Sequence, residues 1–520
     1  MPTAASDTLQ RRTTDCPQAR NRQGLLLSTI LLALLASGCM QRTASSNNLG
    51  DLAKGRLGDL DFTPCSLPSP IQQAKALDAQ CTTFEVPEDR SLPGGRKIRI
   101  NLAWIPAGDS NDPAPDPVFF IAGGPGQSAV DTFPGLAPVF KSVMKKRDII
   151  LVDQRGTGKS NLLQCKSDPE QADSGDLASE RKQTERCIAA LSAKADLRHY
   201  TTTEAVADLD AVRAVMHLEK INLFGVSYGT RVAQQYALRH PSHVRTITLD
   251  SPVPNTLGLG NIFARNLDNA LSAQFALCSR NAGCKAKMGD PRAELGNLLA
   301  RLRTAPVEVV YRDASTGEQK TGTLTADKVA GLVRMYAYMP VAGALLPQLI
   351  HEAAQGRYAS LMALAEMLSG QMEDSMAIGM QMSVVCSEDA GSFVARADDA
   401  DTVLGNRMVD SMAAACAQWP KGRKPADFNT PLRGDLPALI LTGEFDPVTP
   451  PAYGQEIAKT LPNSRWLNLV GQGHNVIGAG CMPKLFAQFI DKADVKDLDV
   501  ECLASLAQVQ PFTTYNGWEP

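Results

Sequence analysis

One serine stands between two glycines in Phe224-Gly225-Val226-Ser227-Tyr228-Gly229-Thr230, after an apolar run and before a stretch of helical character. A strand ending at Val226, a serine in a sharp turn and a helix through "YGTRVAQQYALRH" form the strand–turn–helix that exposes a nucleophile. The glycines have a physical reason to be there. The serine must take a strained backbone conformation, and a β-carbon on either side would strike the neighbouring strand or helix.

A serine hydroxyl is a weak nucleophile without a base, and an imidazole base needs a carboxylate to orient it. The chain has 6 histidines. His199, His217, His240, His243 and His351 fall in or beside helical segments, where surface and packing roles predominate. His240 and His243 in "RHPSH" span a helix end and a proline, a poor arrangement for a metal, and no metal site is expected. His474, in "LVGQGHNV", follows the last apolar strand in a glycine-rich loop. The strand before it runs into "LTGEFDPVTPP", which sets Asp446 beyond its carboxyl end, with Glu444 as the alternative orienter. Two donors must face the developing oxyanion. One is the backbone N–H of Tyr228; the other is Gly124 in "FFIAGGPGQSA". "DQRGTGKS" imitates the end of a phosphate-binding loop, but the required first glycine is Asp153, so no nucleotide and no cofactor are expected.

These residues need a scaffold, and the chain supplies apolar runs for it at 97–107, 117–123, 148–154, 221–226, 244–250, 437–443 and 465–471. Continuous apolar runs suit strands buried on both faces. In the helical stretch between them, Val206, Leu209, Val212 and Met216 recur at helical spacing. Strands alternating with helices predict a doubly wound, mostly parallel sheet. The alternation stops after Asp250 and returns at Pro437. The intervening residues read as mainly helical and methionine-rich, with a hairpin in "VEVVYRDASTGEQKTGTLT", and predict a cap inserted at the carboxyl edge of the sheet, where ligands bind. The methionine stripe is read as core.

With 520 residues, 44% hydrophobic and 21% charged, and a formal net charge of −3, the composition is that of an ordinary globular chain and gives no reason to expect nucleic acid. Its first forty residues differ. Arg11, Arg12, Arg20 and Arg22 precede an apolar run too short to span a bilayer, which ends in Ala36-Ser37-Gly38-Cys39. This resembles the signal and lipobox of bacterial lipoproteins, with Cys39 carrying lipid. Ala36 departs from the usual leucine, so cleavage without lipid stays open. Of 12 cysteines, Cys16 would leave with the signal. Ten remain beyond Cys39, in local pairs that predict bridges in an oxidising compartment. The pairs are Cys65 with Cys81, Cys165 with Cys187, Cys278 with Cys284, Cys386 with Cys416 and Cys481 with Cys502.

"GGPG", "DQRGTGKS", "GVSYGT", "GEFDPVTPP" and "GQGH", in this order, resemble the proline iminopeptidase and tripeptidyl aminopeptidase family of α/β-hydrolases, over roughly residues 60–505. The resemblance implies an α/β-hydrolase fold and a serine exopeptidase acting on short peptides with a free N-terminus. Ser227 would be nucleophile, His474 base and Asp446 orienter, with Asp153 and Arg155 bracing the loops. Ala122 departs from the histidine of many proline iminopeptidases and favours the tripeptidyl branch. Glu388, two residues after Cys386, matches the family's acidic position and is the expected anchor for the substrate amine, with Asp389 as alternate. The organisation expected is an export signal over 1–38, a polar tether over 39–60, hydrolase core over 61–255, cap over 256–430, core again over 431–505 and a tail over 506–520. A carboxylesterase remains the nearest competing reading, and a catalytically silent envelope lipoprotein the more distant one. Lipidation would place the mature chain in the membrane fraction, and Cys39→Ser should block processing. N-terminal sequencing of native protein checks this; a chain free in the medium and starting elsewhere refutes it.

Overall fold

The computed structural model describes residues 55–70, 75–108, 113–165 and 177–517. The export signal, the tether up to residue 54, Cys16 and Cys39 lie outside the described residues. In chain order the strands are β1 (Gly55–Leu57), β2 (Leu60–Leu67), β3 (Leu77–Pro87), β4 (Lys97–Ile105), β5 (Val118–Ile121), β6 (Ile149–Val152), β7 (Ile221–Val226), β8 (Val244–Asp250), β9 (Val307–Arg312), β10 (Gln319–Leu324), β11 (Ala438–Gly443) and β12 (Ser464–Leu469). The helices are α1 (Ala129–Phe140), α2 (Leu177–Ser192), α3 (Thr202–Val215), α4 (Tyr228–Arg239), α5 (Phe263–Arg280), α6 (Ala282–Met288), α7 (Pro291–Thr304), α8 (Ala326–Ala337), α9 (Pro340–Ala354), α10 (Ala359–Ser375), α11 (Ile378–Glu388), α12 (Arg407–Gln418), α13 (Pro451–Ala458) and α14 (Met482–Lys492).

Ten strands form one sheet in the order β1-β2-β3-β4-β6-β5-β7-β8-β11-β12. Strands β6, β5, β7, β8, β11 and β12 run parallel, while β1 to β4 are antiparallel and join β6 antiparallel. The parallel strands are the apolar runs of the sequence, and β5, β6, β7 and β11 are buried at every position. The antiparallel flank at 55–87 is an addition to the strands expected from the sequence. Its members mix buried with exposed residues and include Pro64, so no apolar run marks them.

Beneath the turn that follows β7, Phe120, Phe133, Phe140, Phe224 and Phe486 pack together, mostly edge to face, with centroids 5.0 to 6.2 Å apart. Each such pair adds roughly 0.5–1.5 kcal/mol beyond its buried area. They join β5, β7, α1 and α14 into one block.

The insertion between β8 and β11 is two structures. Helices α5, α7, α8, α9 and α10, with the antiparallel hairpin β9–β10, enclose a cluster that includes Leu271, Leu298, Val333, Ile350 and Met362. The residues after Ala377 pack instead into the main core, through Met380, Val384, Cys386, Val409 and Trp419. Met362 and Met380 are fully buried, as core methionines should be. The last residues run back over the insertion: Phe512 N donates to Ala344 O and Tyr515 OH to Glu352.

All five expected cysteine pairs are bridged. Cys65 joins Cys81 across the β2–β3 pair, with Cα atoms 5.8 Å apart. Cys165 joins Cys187 of α2 at 5.4 Å, and Cys278 joins Cys284 at 5.1 Å, fastening α5 to α6. Cys386 and Cys416 link α11 to α12 at 4.9 Å. Cys481 and Cys502 close the segment around α14 at 6.2 Å. These separations all fall in the range a disulfide spans without backbone movement. Among the described residues no helix is long and apolar enough to cross a membrane.

Candidate active site

Ser227 occupies a turn with φ 54° and ψ −122°, between β7 and α4. Its neighbours show why two glycines flank it. A β-carbon on Gly225 would come within 2.5 Å of Gly229 O, and one on Gly229 within 2.3 Å of Ile121 O in β5. The turn is held open by sheet contact: Ser227 N donates to Asp250 O at 2.9 Å.

The other two residues follow strands of the same parallel edge. Asp446 lies just past β11 and is 2% exposed. Its Oδ1 accepts from the backbone of Val448 and Thr449, at 2.9 and 2.8 Å. Its Oδ2 accepts from Thr449 Oγ1 at 2.9 Å and from His474 Nδ1 at 2.7 Å. An ionised carboxylate only accepts, so the histidine proton sits on Nδ1 and Nε2 keeps its lone pair. Burial drives the His474 pKa down, but the charge and hydrogen bond of Asp446 outweigh it, and the net displacement is upward. Glu444, the alternative orienter, points elsewhere, accepting from Gly471 N at 2.7 Å and Gln508 Nε2 at 2.9 Å.

The histidine loop has supports that the sequence did not announce. His474 N donates to Tyr338 O at 2.9 Å, at the carboxyl end of α8, and the Tyr338 ring meets the imidazole edge-on at 5.1 Å. Asn475 N donates to Ser251 Oγ at 2.8 Å. Val476 N and Ile477 N donate to the Asp250 carboxylate at 2.9 and 3.1 Å. Burial pushes Asp250 up to about 6, against the pull of those two amides. The signal available was a charged residue closing an apolar strand, "TITLD". For Tyr338 and Thr449 no comparable signal exists.

The glycine loop 123–126 lies against the nucleophile: a β-carbon on Gly123 would stand 3.1 Å from the Ser227 β-carbon. Gly124 has φ +108°, and Ala377 N donates to Gly126 O at 3.0 Å, so the segment before α11 covers this loop. A cleft of about 400 Å³ opens beside it, lined by Gly126, Asp131, Lys159, Gln164 and Met376. Asp153 shapes the loop's exit, accepting from Ser128 Oγ, Val130 N, Asn101 Nδ2 and Lys159 N. Arg155 is fully buried on Asp208 and the carbonyls of Glu88 and His199. Both are internal braces.

Glu388, the expected amine anchor, is enclosed at the end of α11. It is 3% exposed, and its two oxygens accept from Thr202 N at 2.6 Å and Thr202 Oγ1 at 2.9 Å. Thr202 Oγ1 in turn shares a hydrogen bond with Tyr228 OH at 2.7 Å, which also accepts from Gln154 Nε2. Asp389, the alternate, pairs with Arg231 at 2.7 Å. Burial pushes Glu388 up to about 7, opposed by Arg231 and Thr202. These carboxylates tie α11 to the starts of α3 and α4, and both are buried away from solvent. The remaining histidine cluster, Asp210 with His240 and His243, has Arg213 Nε on the same Asp210 oxygen at 2.7 Å, which opposes a cation there.

A serine on a strained strand–helix turn, a buried carboxylate–imidazole pair beyond later parallel strands and a glycine loop beside the serine define a hydrolase-type site on a doubly wound sheet. The family model described as alpha/beta hydrolase fold matches residues 116–478, and the chain belongs to that family. Among curated relatives, the chain is 26% identical over 497 residues to the serine protease Hip1 of Mycobacterium tuberculosis, covering 88% of this chain and 93% of that one. It is 26% identical over 466 residues to the tripeptidyl aminopeptidase of Streptomyces lividans, covering 82% and 83%. Similarity to carboxylesterase B of Mycobacterium tuberculosis is 25% over 424 residues, covering 74% and 78%.

Because Asp446 raises the His474 pKa, the acid limb of kcat/KM should lie above the ordinary histidine value, activity falling as pH drops through it. Asp446→Asn should move that limb to lower pH and cost about 10⁴-fold in rate, whereas Glu444→Gln should leave the limb in place. A pH–rate profile of each variant decides. Glu388→Gln retains an acceptor for Thr202 N–H, and kcat/KM for free-amine peptides and simple esters should change by the same factor. A loss confined to free-amine peptides would restore Glu388 as the amine partner.

Proposed function

We propose that this chain is an exported serine peptidase that releases residues from the N-termini of short peptides through an acyl-enzyme on Ser227. The observation that carries the reading is the 2.7 Å contact between Asp446 and His474 Nδ1, which leaves Nε2 free to take a proton. In this reading Ser227 Oγ attacks the scissile carbonyl carbon as its proton passes to His474 Nε2. The N–H groups of Tyr228 and Gly124 receive the oxyanion. The tetrahedral adduct collapses, His474 gives its proton to the departing amine, and water then repeats the sequence to free the acyl product. The Hip1 and tripeptidyl aminopeptidase similarities support the peptidase assignment, and a cap seated at Tyr338 and Ala377 suits short substrates.

Export is supported by the five bridges, and anchoring through lipid on Cys39 to a membrane belongs to the same proposal. The carboxylesterase reading keeps one specific support, since Glu388 and Asp389 are engaged internally and the same triad would serve an ester. The purified mature protein should cleave tripeptidyl, alanyl or prolyl amides faster than N-blocked amides and simple esters. Ser227→Ala should lower turnover by about 10⁴-fold or more with folding intact. A variant retaining more than about a tenth of activity, or wild-type protein that cleaves esters alone, would overturn the respective assignment.

A further inference from the structure

Several buried or half-buried arginines of this protein have carboxylate partners. Arg155 pairs with Asp208, Arg231 with Asp389 and Arg407 with Glu180. Arg334 on α8 is different. It is half-buried, and its guanidinium donates to the thioether of Met408 at 3.5 Å and lies 5.1 Å from the centre of the Phe263 ring. Among the described residues no carboxylate stands within 4.0 Å of it. A thioether is a weak acceptor and a ring face a weak counter-charge, so the cation is partly removed from water without a strong partner.

The helix that carries it also holds the His474 loop. Tyr338, one helical turn further on, gives its carbonyl to His474 N and its ring to the imidazole. Phe263 opens α5, and Asn266, one turn on, donates to Val448 O in the loop that carries Asp446. Met408 opens α12. Arg334 therefore sits among three elements of the insertion, two of them in contact with the Asp446 and His474 loops. The positive charge of Arg334 also acts on His474, where it opposes protonation.

We propose that Arg334 is a substrate-binding residue that receives a carboxylate of the substrate, so that the site selects anionic acyl-transfer substrates. This rests on the serine peptidase reading above. A guanidinium holds a carboxylate through two parallel N–H···O bonds, and a partly dry surrounding strengthens them. The carboxylate has two sources, an acidic side chain near the scissile bond or the free C-terminus of a short peptide.

Matched substrates separate the sources: peptides with Glu or Gln beside the scissile bond, each with a free or an amidated C-terminus. Wild-type protein should favour the carboxylate of one source by about tenfold or more in kcat/KM. Arg334→Met should bring that ratio close to one, and Arg334→Lys should keep part of it, with thermal melting confirming that each is folded. Retention of the wild-type ratio by Arg334→Met, or a wild-type ratio near one for both sources, refutes the proposal. If wild-type protein reacts with a serine-directed phosphonate yet cleaves no peptide, the peptidase reading fails while Arg334 remains testable. The same ratio is then read with hemisuccinate esters against their methyl-capped counterparts.

Discussion

Asp250 holds both halves of the site in register, and the other contacts depend on it. Its main-chain carbonyl accepts from Ser227 N, and its side chain accepts from the two amides that follow His474 by two and three residues. One residue at the end of β8 thus spans the gap between the strand that carries Ser227 and the loop that carries His474. The carboxylate is fully buried, and a lone charge there would be strongly disfavoured. Directed amide dipoles offset part of that cost, while burial still pushes the group up to about 6. A neutral side chain would bind the amides less strongly and leave the histidine loop looser.

The insertion contributes to the same alignment from the opposite side. Tyr338 closes on His474 from α8, and Ala377 closes on the glycine loop just before α11. Gly473 is required by the first contact, because a β-carbon there would fall 2.2 Å from Tyr338 O. Glu388 and Asp389 then fasten the end of α11 to α3 and α4, and the Cys386–Cys416 bridge ties α11 to α12. This second part of the insertion shares the main hydrophobic core, whereas the part from α5 to α10 has a cluster of its own. The segment that covers the glycine loop is therefore continuous with the main core.

Much of this was legible because the relevant signals are local. Apolar runs marked the parallel strands, since β7 and β11 are buried at every position and tolerate no alternation. Gly225 and Gly229 marked the turn, because close approach of backbone to backbone admits no side chain. The cysteine pairs were readable for the same reason, each bridge closing a short stretch of chain, from 6 residues for Cys278 and Cys284 to 30 for Cys386 and Cys416. What escaped was long-range pairing. Asp250 and the Val476 amide it holds are 226 residues apart, and only the folded sheet brings them together. The surroundings of Glu388 were hidden for the same reason: its expected role came from the resemblance, and Thr202, which holds its carboxylate, is 186 residues away. The antiparallel flank escaped because half-buried strands carry a weaker pattern than buried ones.

The distribution of charge around the imidazole bears on how a substrate would be held. Two carboxylates, Asp446 and Asp250, bear on His474, both are almost fully buried and both are occupied by hydrogen bonds. Arg334 bears on the same ring from the insertion, with no carboxylate within 4.0 Å among the described residues. An ammonium brought close to that guanidinium would be repelled, and a carboxylate attracted. In the proposed aminopeptidase reading, the free α-amine must then lie away from Arg334, on the side of the glycine loop, where the cleft presents Asp131 and Gln164. A peptide bound with its leaving chain toward Arg334 would have a carboxylate matched at that end, while the cleft offers Asp131 and Lys159 side by side.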